Sequence, residues 1–161
     1  MAVLLLAACR SVPATKEEAL RQLIADIAAG RVEADPYTAV TPTDPAQSAL
    51  FLYVEEWLNV NAEALTRVTP VLPPEGRFTF TRSADGCVTY LISEGWPGSQ
   101  VRTKALRPVP GTRITLLGWP DPLPWEQLGA VCVIETPREM ADEENHPCPQ
   151  AFVFRFEAPA R

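Results

Sequence analysis

A single histidine stands in the 161 residues, and that scarcity removes two classes of chemistry at once. Zinc sites rich in histidine are excluded, and a serine or cysteine nucleophile has no base to call on except His146 itself. Basic residues are also short. The 14 Lys and Arg are scattered among 20 Asp and Glu, the formal net charge is -6, and no basic stripe forms. Phosphate backbones are bound by clustered cations, so the composition argues against nucleic acid as a partner. Glycine is sparse beside proline, eight against 17, a ratio that suits short strands joined by stiff turns and favours a β-rich body. No stretch reaches the roughly 18 apolar residues of a membrane-spanning helix.

What is present is enough apolar material for a core: 47% of residues are hydrophobic, in a length that suits one domain of ordinary size plus an appendage. Residues 1–43 read as that appendage. Met1 to Ala8 is apolar and runs into Leu6-Ala7-Ala8-Cys9, which resembles a bacterial lipobox, small residues before a cysteine whose thiol takes a diacylglycerol. A secretory signal carries positive charge ahead of its apolar stretch, and no Lys or Arg precedes Cys9. Two readings therefore stand. Either Cys9 is lipidated, which places the chain on a bacterial envelope or in the periplasm with the membrane touched only through the lipid, or the segment is an ordinary N-terminus with a chance cysteine. From Thr15 to Gly30 a helix is expected, because Thr15 and Glu18 form a capping-box pair and Leu20, Leu23, Ile24 and Ile27 fall on one face. Residues 31–43 hold two prolines and no apolar period, and read as a linker.

A second helix opens at Asp44-Pro45-Ala46-Gln47, where an Asp N-cap, a Pro at the first helical position and a Gln at N3 agree. Leu50, Val54, Trp57, Leu58, Asn61 and Leu65 then share a face, so residues 44–70 read as a connecting helix with Trp57 as a core anchor. After Pro70, Pro73 and Pro74 the period changes to two. Arg77 to Arg82 alternates polar and aromatic, Asp85-Gly86 is a hairpin turn signal, and Cys87 to Ile92 answers as the partner strand. Val101 to Leu106, Thr112 to Leu117, Val131 to Glu135 and Ala151 to Phe156 supply four more strands, with Trp125 marking a seventh. Short strands at near-regular spacing indicate a mainly β fold, an antiparallel sandwich over residues 71–161 preceded by one or two helices.

The element order resembles the C-terminal β-sandwich domain of the α-L-fucosidases, retaining glycoside hydrolases in which a catalytic (β/α)8 barrel is followed by a small sandwich. The resemblance runs from Asp44 to Phe156. It is carried by Glu56, Trp57, Leu58, Asn61, Glu63 and Ala64 at the end of the helix, then Tyr90-Leu91-Ile92 with Trp96-Pro97, then Ile114-Thr115-Leu116-Leu117-Gly118, then Leu123 with Trp125, and a closing strand that alternates Phe152, Phe154 and Phe156. Its implication is a partner rather than an activity. An eight-fold barrel takes about 250 residues, more than the 161 present, so a glycoside hydrolase barrel is the expected partner and an accessory, non-catalytic role is the expectation. An independent carbohydrate- or protein-binding envelope lipoprotein is the alternative.

Retaining glycosidases need two carboxyl groups about 5 to 5.5 Å apart, and the resemblance places both on the barrel, so no catalytic residue is assigned here. Asp142-Glu143-Glu144-Asn145-His146 is the densest acidic run, but it lacks the alternating spacing and the Gly of a calcium loop and reads as a solvated loop. Neither a metal site nor a cofactor is expected. Cys132 sits in one expected strand and Cys148 just before the next. A bridge between them would close a loop of about 15 residues and contribute about 3 kcal/mol on the chain-entropy model, whereas in the cytoplasm both would be thiols. Cys87, in an alternating strand, is expected to be buried. Trp96, Trp119 and Trp125 are the ligand-contact candidates, since flat aromatics receive sugar faces and would suit a fucosylated glycan. Core or interdomain packing is the competing role for Trp96 and Trp125, and Trp119, in Gly118-Trp119-Pro120-Asp121-Pro122, is the one expected to be exposed and the leading contact candidate.

Overall fold

The computed structural model describes residues 15–30, 45–148 and 150–159. Cys9 with its lipobox-like surroundings, the 31–43 linker, the Asp44 cap and the side chains of Gln47 and Leu50 lie outside the described residues. Helix α1 spans Lys16–Ala28. Thr15 caps it as expected: its backbone is extended and its hydroxyl accepts the Glu18 N–H at 3.2 Å, which satisfies one of the orphan donors of the first turn. Leu20, Ile24 and Ile27 are buried and Leu23 packs against the same cluster, so the four-residue stripe is the docking face. Helix α2 spans Pro45–Asn61 and tightens into a 3₁₀ turn at Ala62–Ala64.

Among the described residues eight strands follow: β1 Val68–Pro70, β2 Phe78–Ser83, β3 Val88–Glu94, β4 Gln100–Thr103, β5 Arg113–Leu116, β6 Trp125–Leu128, β7 Val131–Glu135 and β8 Ala151–Glu157. They form two antiparallel sheets, a larger one ordered β1-β2-β3-β8-β5 and a smaller one ordered β4-β7-β6. The mainly β sandwich expected from the period-two pattern is therefore present. The strand beyond the expected seven is β1, a three-residue edge strand of sequence Val-Thr-Pro, too short to show a period.

Register fixes which side chains enter the core. Phe80, Leu91, Phe154 and Leu116 are cross-strand partners along the larger sheet, and all four are buried. The next row, Thr81, Tyr90, Arg155 and Thr115, points to the opposite face because side chains alternate along a strand. That second face receives the helical segment. The Thr81 hydroxyl donates to the Ala64 carbonyl at 2.7 Å, and Arg155 pairs with Glu63 at 3.3 Å. α1 packs on α2, β1 and β2. In the smaller sheet Val101, Ile134 and Trp125 form one row, Thr103, Cys132 and Gln127 form the next row on the same face, and Val101, Thr103, Cys132 and Ile134 are buried.

The β2–β3 hairpin forms where Asp85-Gly86 predicted it, with Phe80 opposite Leu91 and Thr81 opposite Tyr90. Gly86 has φ +74, the left-handed conformation for which glycine carries no Cβ penalty. Cys87 is a correction: it lies in the turn, not in β3, and is exposed. The wide turn consumes the residue that strict alternation had placed inside.

A second correction concerns the cysteine pair. Cys132 and Cys148 are free thiols, both buried. β7 belongs to the smaller sheet and β8 to the larger, so the segment between them crosses from one sheet to the other instead of closing a hairpin. Sequential strands in a sandwich often change sheet, and spacing alone does not distinguish the two routes.

Candidate functional site

Each of the three candidate tryptophans is half-buried and packed against the core. Trp96 follows Gly95, whose N–H donates to the Gln150 carbonyl. Its ring lies 4.7 Å from that of His146, tilted by 36°, and 4.9 Å from Phe152 in an edge-on arrangement at 75°. His146 also meets Phe152 edge-on at 4.9 Å, and its Nε2 lies 2.9 Å from the Met140 carbonyl oxygen. The lone histidine thus has a packing and hydrogen-bonding role that holds the loop before β8 against the sandwich. No sequence signal linked it to Trp96, 50 positions away.

Trp125 donates its indole N–H to the Thr112 carbonyl at 2.9 Å. With Pro124, Glu126, Val133 and Glu135 it borders an open hollow of ≈ 250 Å³ on the smaller sheet. Trp119 departs from the exposure expected of it. The residue before it, Gly118, has φ +83, and a Cβ there would lie 2.4 Å from Pro147 Cβ and 3.0 Å from Val60 Cγ1, so the loop is pressed against the α2 end and the pre-β8 segment. Its prolines did not lift the indole off the surface. Among the described residues no ring contact joins the three tryptophans into one platform.

The carboxyl groups with shifted pKa are displaced downward. The Ser83 hydroxyl and then the Cys87 N–H hold Asp85 low, and Arg155 does the same for Glu157. A backbone hydrogen bond at the start of α1 lowers Glu17. Glu75 accepts from the Thr103 hydroxyl and from the Lys104 and Ala105 N–H groups. Desolvation pushes Glu75 up, but those hydrogen bonds and the Lys104 charge outweigh it, so its pKa lies below the usual carboxylate value. A general acid for glycoside cleavage must hold its proton near neutral pH, the opposite displacement. Glu75 instead ties the segment before β2 in the larger sheet to the end of β4 in the smaller one. Sequence reasoning did not single it out, since its partners lie 28 to 30 positions away.

In the acidic run, Asp142 caps a short 3₁₀ turn by accepting the Glu144 N–H at 3.1 Å. Among the described residues no group of three or more His, Cys, Asp or Glu side chains is arranged to hold a metal ion. Burial pushes the Cys132 and Cys148 thiols up to about 11, which leaves almost no thiolate at neutral pH. Cys148 belongs to a buried network. Its Sγ accepts from Asn61 Nδ2 at 3.3 Å and donates to the Ala151 carbonyl at 3.2 Å, while Asn61 Nδ2 also donates to the Trp57 carbonyl. The position of Asn61 within the apolar helical stripe was the one sequence signal for this network.

The two-sheet antiparallel sandwich, with a helix anchored by tryptophan on one face, defines the class: a small β-sandwich module. No family model matches the chain. Over 107 residues it is 31% identical to an α-L-fucosidase of Branchiostoma floridae, a match that takes in 63% of this chain and 23% of that protein. Among solved structures, the Thermotoga maritima α-fucosidase superposes with a TM-score of 0.67, at 18% identity over 88% of this chain and 34% of that one. A GH29 α-L-fucosidase from Bacteroides thetaiotaomicron gives 0.52 at 16% identity, over 73% and 26%. The sequence and structural neighbours are thus α-L-fucosidases, and the chain spans only 23% to 34% of their length. That extent is consistent with the C-terminal domain to which the motifs point.

Proposed function

We propose that this chain is a non-catalytic accessory domain of the α-L-fucosidase type, a sandwich that stabilises or flanks a glycoside hydrolase barrel supplied outside these 161 residues. The observation that carries the reading is the extent of the structural match, which covers 88% of this chain but only 34% of the Thermotoga maritima α-fucosidase. The local chemistry supports it. Glu75, Asp85 and Glu157 are held ionised by hydrogen bonds, and the three tryptophans pack against the core. Fucose affinity, if present, rests on the exposed parts of Trp96, Trp119 and Trp125 and is weak, on the order of millimolar or about 4 kcal/mol. Reading the nucleotide sequence upstream of Met1 tests the proposal. A barrel-encoding frame in the same register supports it, and an unrelated upstream gene together with a diacylglycerol-modified Cys9 in the mature protein favours the second reading, an envelope lipoprotein that binds glycan or protein by itself. The Leu6-Ala7-Ala8-Cys9 pattern is the observation behind that second reading.

A further inference from the structure

The β2–β3 turn combines two features that pull in opposite chemical directions. Asp85 and Gly86 are both exposed, and an aspartyl-glycine bond is the sequence most open to intramolecular isomerisation, because glycine puts no side chain in the path of its own nitrogen. The Gly86 nitrogen attacks Asp85 Cγ, the amide proton and the carboxyl hydroxyl leave as water, and a five-membered succinimide forms. Water then opens the ring at either carbonyl. One product is the original aspartate and the other is an isoaspartate, whose main chain runs through the side-chain carbon and lengthens the turn by one atom. No reagent other than water is needed.

The folded turn opposes the ring-closing step of that route. The Gly86 N–H, which must be free to attack, donates to the Ser83 carbonyl at 2.9 Å. Asp85 Oδ1 accepts from the Ser83 hydroxyl at 2.6 Å and from the Cys87 N–H at 2.9 Å, so the carboxylate must give up two hydrogen bonds before it can turn to the following nitrogen. The Ser83 hydroxyl oxygen also accepts the Val88 N–H at 3.0 Å, so one side chain holds both the carboxylate and the first residue of β3. Hydrogen bonding lowers the Asp85 pKa, with the Ser83 hydroxyl as its largest cause, and a carboxylate is a much poorer acceptor of nucleophiles than the neutral acid.

We propose that Asp85–Gly86 is a latent isoaspartate site gated by Ser83: inert while the hairpin is closed, reactive in proportion to the time the turn spends open. Local openings of this kind precede global unfolding and set the reactivity of the groups they release. The two experimental arms use the full chain and a free peptide. Both the protein and a synthetic peptide of residues 82–88 are incubated at 37 °C and mildly acidic pH, and isoaspartate at position 85 is quantified by electron-transfer fragmentation, which separates the two isomers. Isomerisation in the folded protein is expected to be at least about tenfold slower than in the peptide, since only the open fraction reacts. Ser83→Ala is expected to accelerate it severalfold at unchanged circular dichroism, and Ser83→Thr, which restores the hydroxyl, to return it to the wild-type rate. Equal rates in protein and peptide would overturn the proposal without recourse to any variant. A folded Ser83→Ala protein that isomerises no faster than wild type would remove Ser83 as the gate.

Discussion

The indole N–H of Trp57 donates to the Ala151 carbonyl oxygen at 2.8 Å, joining α2 to the first residue of β8 across 94 positions of sequence. Trp57 is fully buried, and the same carbonyl also accepts the Cys148 thiol. Helix and sandwich are therefore one cooperative core. Trp57→Ala should cost about 3–5 kcal/mol through cavity formation, and Trp57→Phe about 1–3 kcal/mol through the lost hydrogen bond and residual void. Urea unfolding followed by circular dichroism checks both. A single transition is expected for wild type and for the Phe variant.

Glu75 makes stability depend on pH in a defined direction. Its folded pKa lies below its ordinary value of 4.5, so its contribution is fully present above the unfolded value and is lost as pH falls through the folded one. Glu75→Gln should destabilise by about 1.5–3 kcal/mol at neutral pH, the range for hydrogen bonds to a charged group. The difference between variant and wild type should shrink as pH drops below 4.5. Unfolding midpoints measured from pH 7 down to pH 3 test the sign.

The three described cysteines should separate by reactivity. Cys87 is exposed, whereas Cys132 and Cys148 are buried with pKa values raised to about 11. Iodoacetamide applied to the native protein should label Cys87 and leave the other two untouched until denaturant is added. Peptide mapping reads the outcome, and a recovered Cys132–Cys148 disulfide peptide would contradict the free-thiol arrangement.

Gly118→Ala should be severe for one substitution in a loop. The added Cβ would meet Pro147 at 2.4 Å, in a backbone held at φ +83. Left-handed strain and overpacking together should cost about 2 kcal/mol or more. Thermal unfolding measures it. The Gly95→Ala control has the same sign of φ, +78, with nothing near the added methyl, and should lose less.

Much of this architecture was legible because it is written in local period and turn chemistry. The Thr15 cap, the stripe of α1, the Trp57 anchor and the Asp85-Gly86 hairpin each depend on residues a few positions apart, and each is found. What was not legible is set by long-range placement. The chain changes sheet between β7 and β8, which separates Cys132 from Cys148 as strand partners. The Trp119 loop is half-buried because Gly118 meets Pro147 and Val60. The Glu75 cross-tie and the Trp96–His146 contact join residues 28 and 50 positions apart. No short window of sequence contains either pair.

The central claim, an α-L-fucosidase-type sandwich without chemistry of its own, is tested most directly by turnover of nitrophenyl α-L-fucoside at high concentrations of the purified chain. The account predicts release of nitrophenol at the buffer rate, unchanged by substituting Glu75, Asp85, Glu126 or Glu135. Hydrolysis that copurifies with the chain and disappears when one of its own Asp or Glu residues is replaced would contradict it.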